Sequence, residues 1–109
     1  MNNSAAASLD RSFHALAHPV RRAIVRRLAA GPATIGDASR GVGISKPAVT
    51  RHVRLLEQAG MVSRAERGRT SVLALQPGAL ADAGTWIDLH RARWERKLDV
   101  VAEFLGDAE

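Results

Sequence analysis

The stretch that decides the fold is ISKPAVTRHVRLLEQAGMVSRAERGRTSVLAL, residues 44–75. In its first half, apolar residues recur three and four positions apart, and this spacing predicts a helix over residues 45–58 with one buried face. Gly60 is a typical helix stop. After Gly60 the helical period is lost, and residues 61–64 and 70–75 predict two short strands joined as a hairpin.

Three shorter helices are predicted before this stretch. Apolar residues at helical spacing indicate the first over residues 9–17, behind a flexible segment at residues 1–8. Pro19 suits the first turn of a second helix, which ends before Gly31. A threonine followed three positions later by an acid resembles a capping box, so a third helix is expected over residues 34–40.

A last helix is predicted over residues 77–106, with a length of about 45 Å at a rise of about 1.5 Å per residue. Its apolar positions alternate steps of four and three, which makes a heptad-like seam. The seam consists of Leu80, Gly84, Ile87, Arg91, Trp94, Leu98, Val101 and Leu105, and Gly84 and Arg91 interrupt its apolar character. One small domain cannot cover so long a helix, so part of the seam is expected to pack on a second chain. The alternative is a long helix that lies over its own domain and frays at its end.

The positive charge of the chain is concentrated in residues 40–70. The whole chain carries a formal net charge of +5, and this segment holds seven basic residues against Glu57 and Glu66. Basic and acidic residues balance elsewhere, so the positive field is local and predicts a polyanionic partner. The alternative is a basic, solvated face without a partner.

These elements together predict a mainly α (α+β) fold, a winged helix-turn-helix, as one domain over residues 9–109. The helix-turn-helix spans 34–58 and the two-stranded wing spans 61–75. The helix at 45–58 is expected to enter the major groove of DNA, with the wing at the adjacent minor groove or backbone. The candidate DNA contacts are Ser45, Lys46, Pro47, Thr50, Arg51 and Arg54 on the helix, with Arg67 and Arg69 on the wing.

The composition argues against several other classes of protein. The chain has no cysteine, which excludes disulfides and thiolate metal sites. It has no paired nucleophile and base and no glycine-rich phosphate loop, so an enzyme is not expected, nor is a cofactor. No apolar run is long enough to span a membrane and residues 1–8 lack the pattern of a signal peptide, so a soluble, cytoplasmic protein is expected.

Two other binding functions remain open. A winged helix can serve protein contact, but its exposed surface should then be apolar instead of cationic. An architectural protein that binds DNA without a specific operator would show the same cations.

Four segments resemble the ArsR family of bacterial transcriptional repressors. They are LAHPVRRAIVRRL at residues 16–28, ISKPAVTRHVRLLEQAGMV at 44–62, RAERGRTSVLAL at 64–75 and TWIDLHRARWERKLDVV at 85–101. The resemblance implies a homodimer joined through its first and last helices, which binds a roughly palindromic operator of its own or a neighbouring operon and blocks transcription. The residues expected at the interface are Ile87, Trp94, Leu98 and Val101, the most continuous part of the seam, with Phe13 and Leu16 contributing from the first helix.

The sequence departs from the metal-sensing members of that family. Residues 35–38 contain no cysteine where those members carry a pair. Asp88 and His90 match the first half of a second type of site, but Val101 and Phe104 stand where its histidine and glutamate belong. Two ligands per chain are too few for zinc. We therefore expect no metal site and a signal of another, unidentified kind, with Asp88 and His90 solvated or paired with arginines.

The remaining histidines and tryptophans are expected to be structural. His14, His18 and His52 are isolated in the sequence. His18 is a candidate cap of the second helix, and His52 is expected either to pack or to contact a phosphate. Trp86 and Trp94 are expected in the core or the dimer interface, although they could line a ligand pocket.

Overall fold

A computed structural model of the chain describes residues 2–107, with side chains for residues 6–106. The elements in this range are α1 Asn2–Leu16, α2 Pro19–Leu28, β1 Ala33–Thr34, α3 Ile35–Ala38, α4 Lys46–Gln58, β2 Val62–Arg67, β3 Thr70–Leu75 and α5 Pro77–Asp107. The mainly helical fold with a small antiparallel wing confirms the predicted winged helix-turn-helix.

Three helices begin at residues that cap them. The His18 ring nitrogen, the Thr34 hydroxyl and the Ser45 hydroxyl accept backbone amide hydrogen bonds at 3.1, 3.1 and 3.3 Å respectively. Each bond satisfies an amide in the first turn that has no partner within the helix. The predicted cap at His18 is confirmed, and α4 begins one residue after Ser45.

The junction between α4 and β2 fixes where the wing leaves the helix. Gly60 has φ = 73°, a conformation that glycine adopts without a Cβ clash. The Gly60 amide donates to the carbonyl of Glu57 at 2.9 Å, and the Met61 amide donates to that of Leu56 at 3.0 Å. This pair of hydrogen bonds is a Schellman motif, which ends the helix and sets the direction of the chain into β2.

The wing is a hairpin with a two-residue turn. Arg67 pairs with Thr70 in the antiparallel register of β2 and β3. The turn residues are Gly68 and Arg69, and Gly68 has φ = 64°. A positive φ at the first turn residue alone is the signature of a type II′ turn, whose twist matches that of the strands. The geometry therefore leaves the side chain of Arg69 at the extreme tip of the wing.

The structure differs from the sequence prediction in the lengths of α1 and α3 and in one strand. The helix predicted over residues 34–40 covers only Ile35–Ala38. The first helix was predicted over residues 9–17, whereas α1 covers Asn2–Leu16. Met1 lies outside the described residues, and the flexibility of residues 1–8 stays a prediction. Consecutive alanines at 5–7 favour helix and extend α1 toward the N-terminus. The strand β1 was not predicted; its two residues pair with β3 and give the strand order β1-β3-β2. Two residues are too few to show a strand pattern.

The core lies between the helix-turn-helix and the sheet. Its most completely buried large side chains are Ile24, Val53, Leu56, Met61 and Leu73. The last helix contributes little to this core beyond Ala83, which is 4% exposed, and the partly buried Ala79 and Leu80. None of the helices in the described part of the chain is both long and apolar enough to cross a membrane.

We expect Leu56→Ala to lower the free energy of unfolding by about 2–5 kcal/mol, because it leaves a cavity where a fully enclosed side chain stood. Chemical denaturation followed by circular dichroism measures the change. The exposed Arg26 provides a control, since Arg26→Ala removes an even larger side chain without opening a cavity. Equal stability of the two variants would contradict the assigned core.

Candidate nucleic-acid interface

The two sides of α4 differ sharply in burial and charge. Val49, Val53 and Leu56 are buried against the domain. The other side carries Lys46, Pro47, Arg51 and Arg54, which are exposed, and Thr50, which is half-buried; Ser45 is exposed at the start of the helix. Because apolar residues hold one side inward, the basic side chains project together from the domain.

The wing adds two more exposed arginines. Arg67 ends β2 and Arg69 occupies the turn, and both are exposed. The nearby carboxylate of Glu66 accepts hydrogen bonds from the Ser71 hydroxyl at 2.8 and 2.9 Å, across the hairpin. This acid is therefore engaged by a neutral hydroxyl.

A cleft of about 440 Å³ lies between α3, the first half of α4 and the wing. Of the predicted DNA contacts, it brings together Lys46 and Thr50 from α4 with Arg69 from the wing. The lining of the cleft thus includes cations from two elements, Lys46 and Arg69. Five predicted contacts do not line this cleft, namely Ser45, Pro47, Arg51, Arg54 and Arg67.

The cleft also contains residues that were not predicted to contact DNA. Ile44 lies just before α4 and is 38% exposed, although it is a large apolar residue. Thr70 and Ser71 of β3 place two hydroxyl groups in the lining of the same cleft. Ile44 could have been singled out from the sequence, because it directly precedes the helix cap Ser45. The hydroxyl groups of Thr70 and Ser71 could not, because their place in the cleft depends on how the strands of the hairpin pair.

Ion pairs divide the seven basic residues of segment 40–70 into two groups. Arg40 pairs with Asp37 at 2.7 Å, and Arg64 pairs with Glu57 at 2.7 Å. The other five form no ion pair with any residue that the structure describes; they are Lys46, Arg51, Arg54, Arg67 and Arg69. All five belong to α4 or the wing, so the unneutralised charge coincides with the exposed side of the helix-turn-helix.

His52 lies at the edge of α4 and packs inward. Its Nδ1 atom lies 3.1 Å from Nη1 of Arg21, and its ring centroid lies 4.4 Å from that of His18. Burial lowers the pKa of His52 below the ordinary value of 6.5, and the positive charges of His18, Arg21 and Arg51 lower it further. Of the two expected roles for His52, packing and phosphate contact, this geometry favours packing.

The outer part of α5 presents apolar side chains that its own domain does not cover. Trp94 is 62% exposed, Leu98 47% and Val101 51%. The two predicted interface residues of α1 both have neighbours within their own chain. Leu16 packs against the core of its own domain, and the Phe13 ring meets that of Trp86 edge-on at 5.6 Å. Trp86 and Trp94 both lie on α5, and the exposed fraction of Trp86 is 45%.

The two possible metal ligands on α5 have other neighbours. Asp88 pairs with Arg91 at 3.1 Å, and the ring centroid of His90 lies 4.3 Å from that of Trp86. Over the described residues, no three His, Asp or Glu side chains are grouped so that they could hold a metal ion.

Comparison with known proteins places this arrangement among transcription regulators. A family model described as a helix-turn-helix domain matches residues 16–64. The HTH-type transcriptional regulator Rv2034 of Mycobacterium tuberculosis is 41% identical over 98 residues, which cover 90% of this chain and 89% of that protein. The transcriptional repressor SdpR of Bacillus subtilis is 32% identical over 79 residues, 72% of this chain and 88% of that protein.

Solved structures give the same result. The crystal structure of an ArsR family transcriptional regulator, RHA00566, has a TM-score of 0.76 and 30% identity, and covers 81% of this chain and 91% of that one. A homodimeric winged helix-turn-helix DNA-binding domain from Mycobacterium bovis has a TM-score of 0.65 at 18% identity, over 90% of this chain and 88% of that one. The second likeness is one of fold.

We expect the free energy of unfolding to fall as pH drops below about 6.5, the region in which an ordinary histidine gains its proton. The pKa of His52 is lowered in the folded protein. The unfolded chain therefore binds more protons in this range, and stability rises with pH. Denaturation at several pH values should show a weaker dependence in His52→Asn than in the wild type. The same change at exposed His90 serves as control; if it flattens the profile equally, His52 is not responsible.

Proposed function

This chain belongs to the ArsR family of winged helix-turn-helix transcriptional regulators, and we propose that it is a homodimeric repressor that binds an operator of its own or a neighbouring operon. As a member of this family, it is a transcription regulator and not an enzyme. The observation that carries the proposal is the set of five cations on α4 and the wing that lack ion pairs among the described residues. Such a surface attracts the phosphate backbone of DNA.

The geometry supports a division of work between α4 and the wing. The exposed side of α4 is a single helical face of the kind that fits the major groove, with Ser45 and Lys46 entering first. Thr50, Arg51 and Arg54 follow along this face and are proposed to reach base edges or flanking phosphates. Arg67 and Arg69 lie at the end of the hairpin and are proposed to contact the minor groove or the backbone.

The exposed seam of α5 supports the proposed homodimer. Ile87, Trp94, Leu98 and Val101 are each between 47% and 62% exposed in the single chain, which is unusual for large apolar side chains that recur at heptad spacing. A second copy covers them with an identical surface, and two-fold symmetry then spaces two copies of α4 for successive major grooves. The related fold from Mycobacterium bovis is a homodimer.

The proposed sign of regulation and location follow from the relatives. SdpR, which is 32% identical, is a transcriptional repressor. A protein whose partner is operator DNA is expected in the cytoplasm. We propose that the signal that relieves repression is not a metal ion, because the chain has no cysteine and no third His, Asp or Glu side chain of the described residues is grouped with Asp88 and His90.

A role in protein contact through the helix-turn-helix is less consistent with the surface. Large exposed apolar residues in the described part of the chain lie on α5, apart from Ile44. The outer side of α4 and the wing is instead cationic. An architectural DNA-binding role would use the same cations and is separated by sequence preference alone.

We expect Arg51→Ala and Arg67→Ala to weaken DNA binding in different ways. Loss of Arg51 should cost about 1–3 kcal/mol and change the preference between duplexes if it contacts a base edge. Loss of Arg67 should weaken binding to all duplexes and reduce the salt dependence by about one unit of slope. Fluorescence anisotropy measures both, with the DNA upstream of the chain's own reading frame and a random duplex of equal length.

Arg96→Ala is the matched control for charge, because it removes one arginine from an exposed position on α5. It should bind both duplexes like the wild type. Unchanged binding in a triple Arg51, Arg54 and Arg67 alanine variant would reject this surface, and equal wild-type affinity for both duplexes would favour the architectural role.

We expect Leu98→Glu to separate the dimer without unfolding the protomer. Leu98 is 47% exposed in the single chain, so a carboxylate there is solvated in the monomer but buried and unpaired on each side of the dimer axis. Sedimentation velocity should show a monomer, and operator affinity should fall with it. Ala92→Glu adds the same charge to an exposed position on another face of α5 and should stay dimeric. A dimeric Leu98→Glu variant that binds operator normally would place the interface elsewhere.

A further inference from the structure

Arg21 is a buried arginine in a helix whose other arginines are exposed. It lies on α2, is only 5% exposed, and reaches two other helices. Its Nε donates to the carbonyl of Ala15 at 2.7 Å, and its Nη2 donates to that of His14 at 2.9 Å. Its Nη1 lies 3.1 Å from Nδ1 of His52. One guanidinium group thus joins the end of α1 to the middle of α4.

The acceptors of Arg21 are electrically neutral. No ion pair in the described residues involves this side chain. The carbonyls of His14 and Ala15 lie at the C-terminal end of α1, where the helix dipole is negative and favours a cation. A buried charge destabilises the folded state when one of its hydrogen-bond partners is missing. Any movement that separates Arg21 from one of its three acceptors therefore raises the free energy of the folded protein.

The contact also fixes the protonation state of His52. A guanidinium group can only donate hydrogen bonds, so Nδ1 of His52 must accept and its proton must lie on Nε2. The charged and titratable groups that act on the ring are His18 before α2, Arg21 of α2 and Arg51 of α4. From α1, the backbone carbonyl of His14 accepts a hydrogen bond from the same Arg21. A proton on Nδ1 would remove the acceptor and place two cations face to face.

We propose that Arg21 is a positioning residue for DNA binding, which holds α4 at a fixed distance and rotation from the C-terminal end of α1 through His52. The inference rests on the proposed DNA-binding function and adds a coupling to it. Because α1 also contacts α5, where Phe13 meets Trp86, a displacement of α1 at the α5 side is transmitted to α4 by this guanidinium. His52 follows directly after Arg51, so the same contact sets the direction of a proposed DNA-contacting side chain.

The test uses two substitutions of His52 that differ in one property. In His52→Asn, the amide oxygen can accept near the position of Nδ1, and in His52→Leu the acceptor is lost. We expect the dissociation constant for the duplex upstream of the chain's own reading frame to rise about tenfold in His52→Leu, the effect of one charge-assisted hydrogen bond, and to stay within about twofold in His52→Asn. If the two variants bind alike, whether both normally or both weakly, the accepting atom is not what positions α4 and the proposal is overturned.

Arg22 provides the matched control for Arg21. It is the next residue, is exposed, and donates to the Leu16 carbonyl at 2.8 Å, so it also contacts the end of α1 but does not contact His52. Arg22→Met should bind the duplex like the wild type, and Arg21→Met should bind it about tenfold more weakly. In the double variant Arg21→Met with His52→Leu, the loss should equal that of Arg21→Met alone. Additive losses would show that the two residues act separately.

A pH series keeps the proposal testable if the leucine or methionine variants fail to fold. Between about pH 7.5 and about pH 5.5, where histidine titrates, the wild type should lose affinity relative to His52→Asn, because protonated His52 releases Arg21. The opposite sign, with tighter wild-type binding in acid, would identify His52 as a phosphate contact and overturn the proposal. Failure of the proposed function itself would look different, since the wild type would then bind no duplex at any pH.

Discussion

Val53 and Leu56 on α4 are almost completely enclosed, and the side chains around them come from every layer of the domain. Ile24 belongs to α2, Met61 to the junction after α4, and Leu73 to the central strand of the sheet. Burying one such side chain contributes about 1.5–3 kcal/mol, so rotation of α4 about its axis would expose much of what holds the domain together. The outward direction of its cations is therefore a consequence of the core.

Because α4 and the sheet fill the core, most of α5 has no core of its own domain to pack against. A domain of this size has a small core, and the helix-turn-helix and sheet already fill it. Only the first turns of the 31-residue α5 reach that core, through Ala79, Leu80 and Ala83. From Trp86 onward its large apolar side chains are exposed. The chain thus separates its two surfaces in space, with cations on the helix-turn-helix and uncovered apolar side chains on α5.

Local patterns predict the elements whose signals lie within one segment. The repeat at Val49, Val53 and Leu56, the stop at Gly60 and the long seam of α5 all depend on neighbours a few residues away, and the structure agrees with them. Leu16 illustrates what such patterns do not predict. Its helical spacing predicts an apolar face but not what covers it, and the structure packs it against its own core.

The candidate site was predictable for the same reason, and only in part. The exposure of the arginines on α4 can be predicted from its helical period. The cleft between α4 and the wing depends instead on the distance between these two elements in the folded domain. Arg21 gave no signal, because it is one of four arginines in α2 and nothing in the sequence distinguishes it from Arg22, Arg26 and Arg27. Its burial depends on the meeting of α1, α2 and α4, which no local pattern encodes.

Burial separates the arginines of this chain into two physical roles. An exposed arginine such as Arg51 keeps its hydration and can exchange it for phosphate or a base edge, so its charge stays available to a partner. The guanidinium of Arg21 has already exchanged its hydration for three protein acceptors in three directions. A lysine has its donors on one atom and could not span the same three positions. The planar group therefore serves as a rigid connector, and the helix that presents the DNA-facing cations is braced by a cation that DNA does not reach.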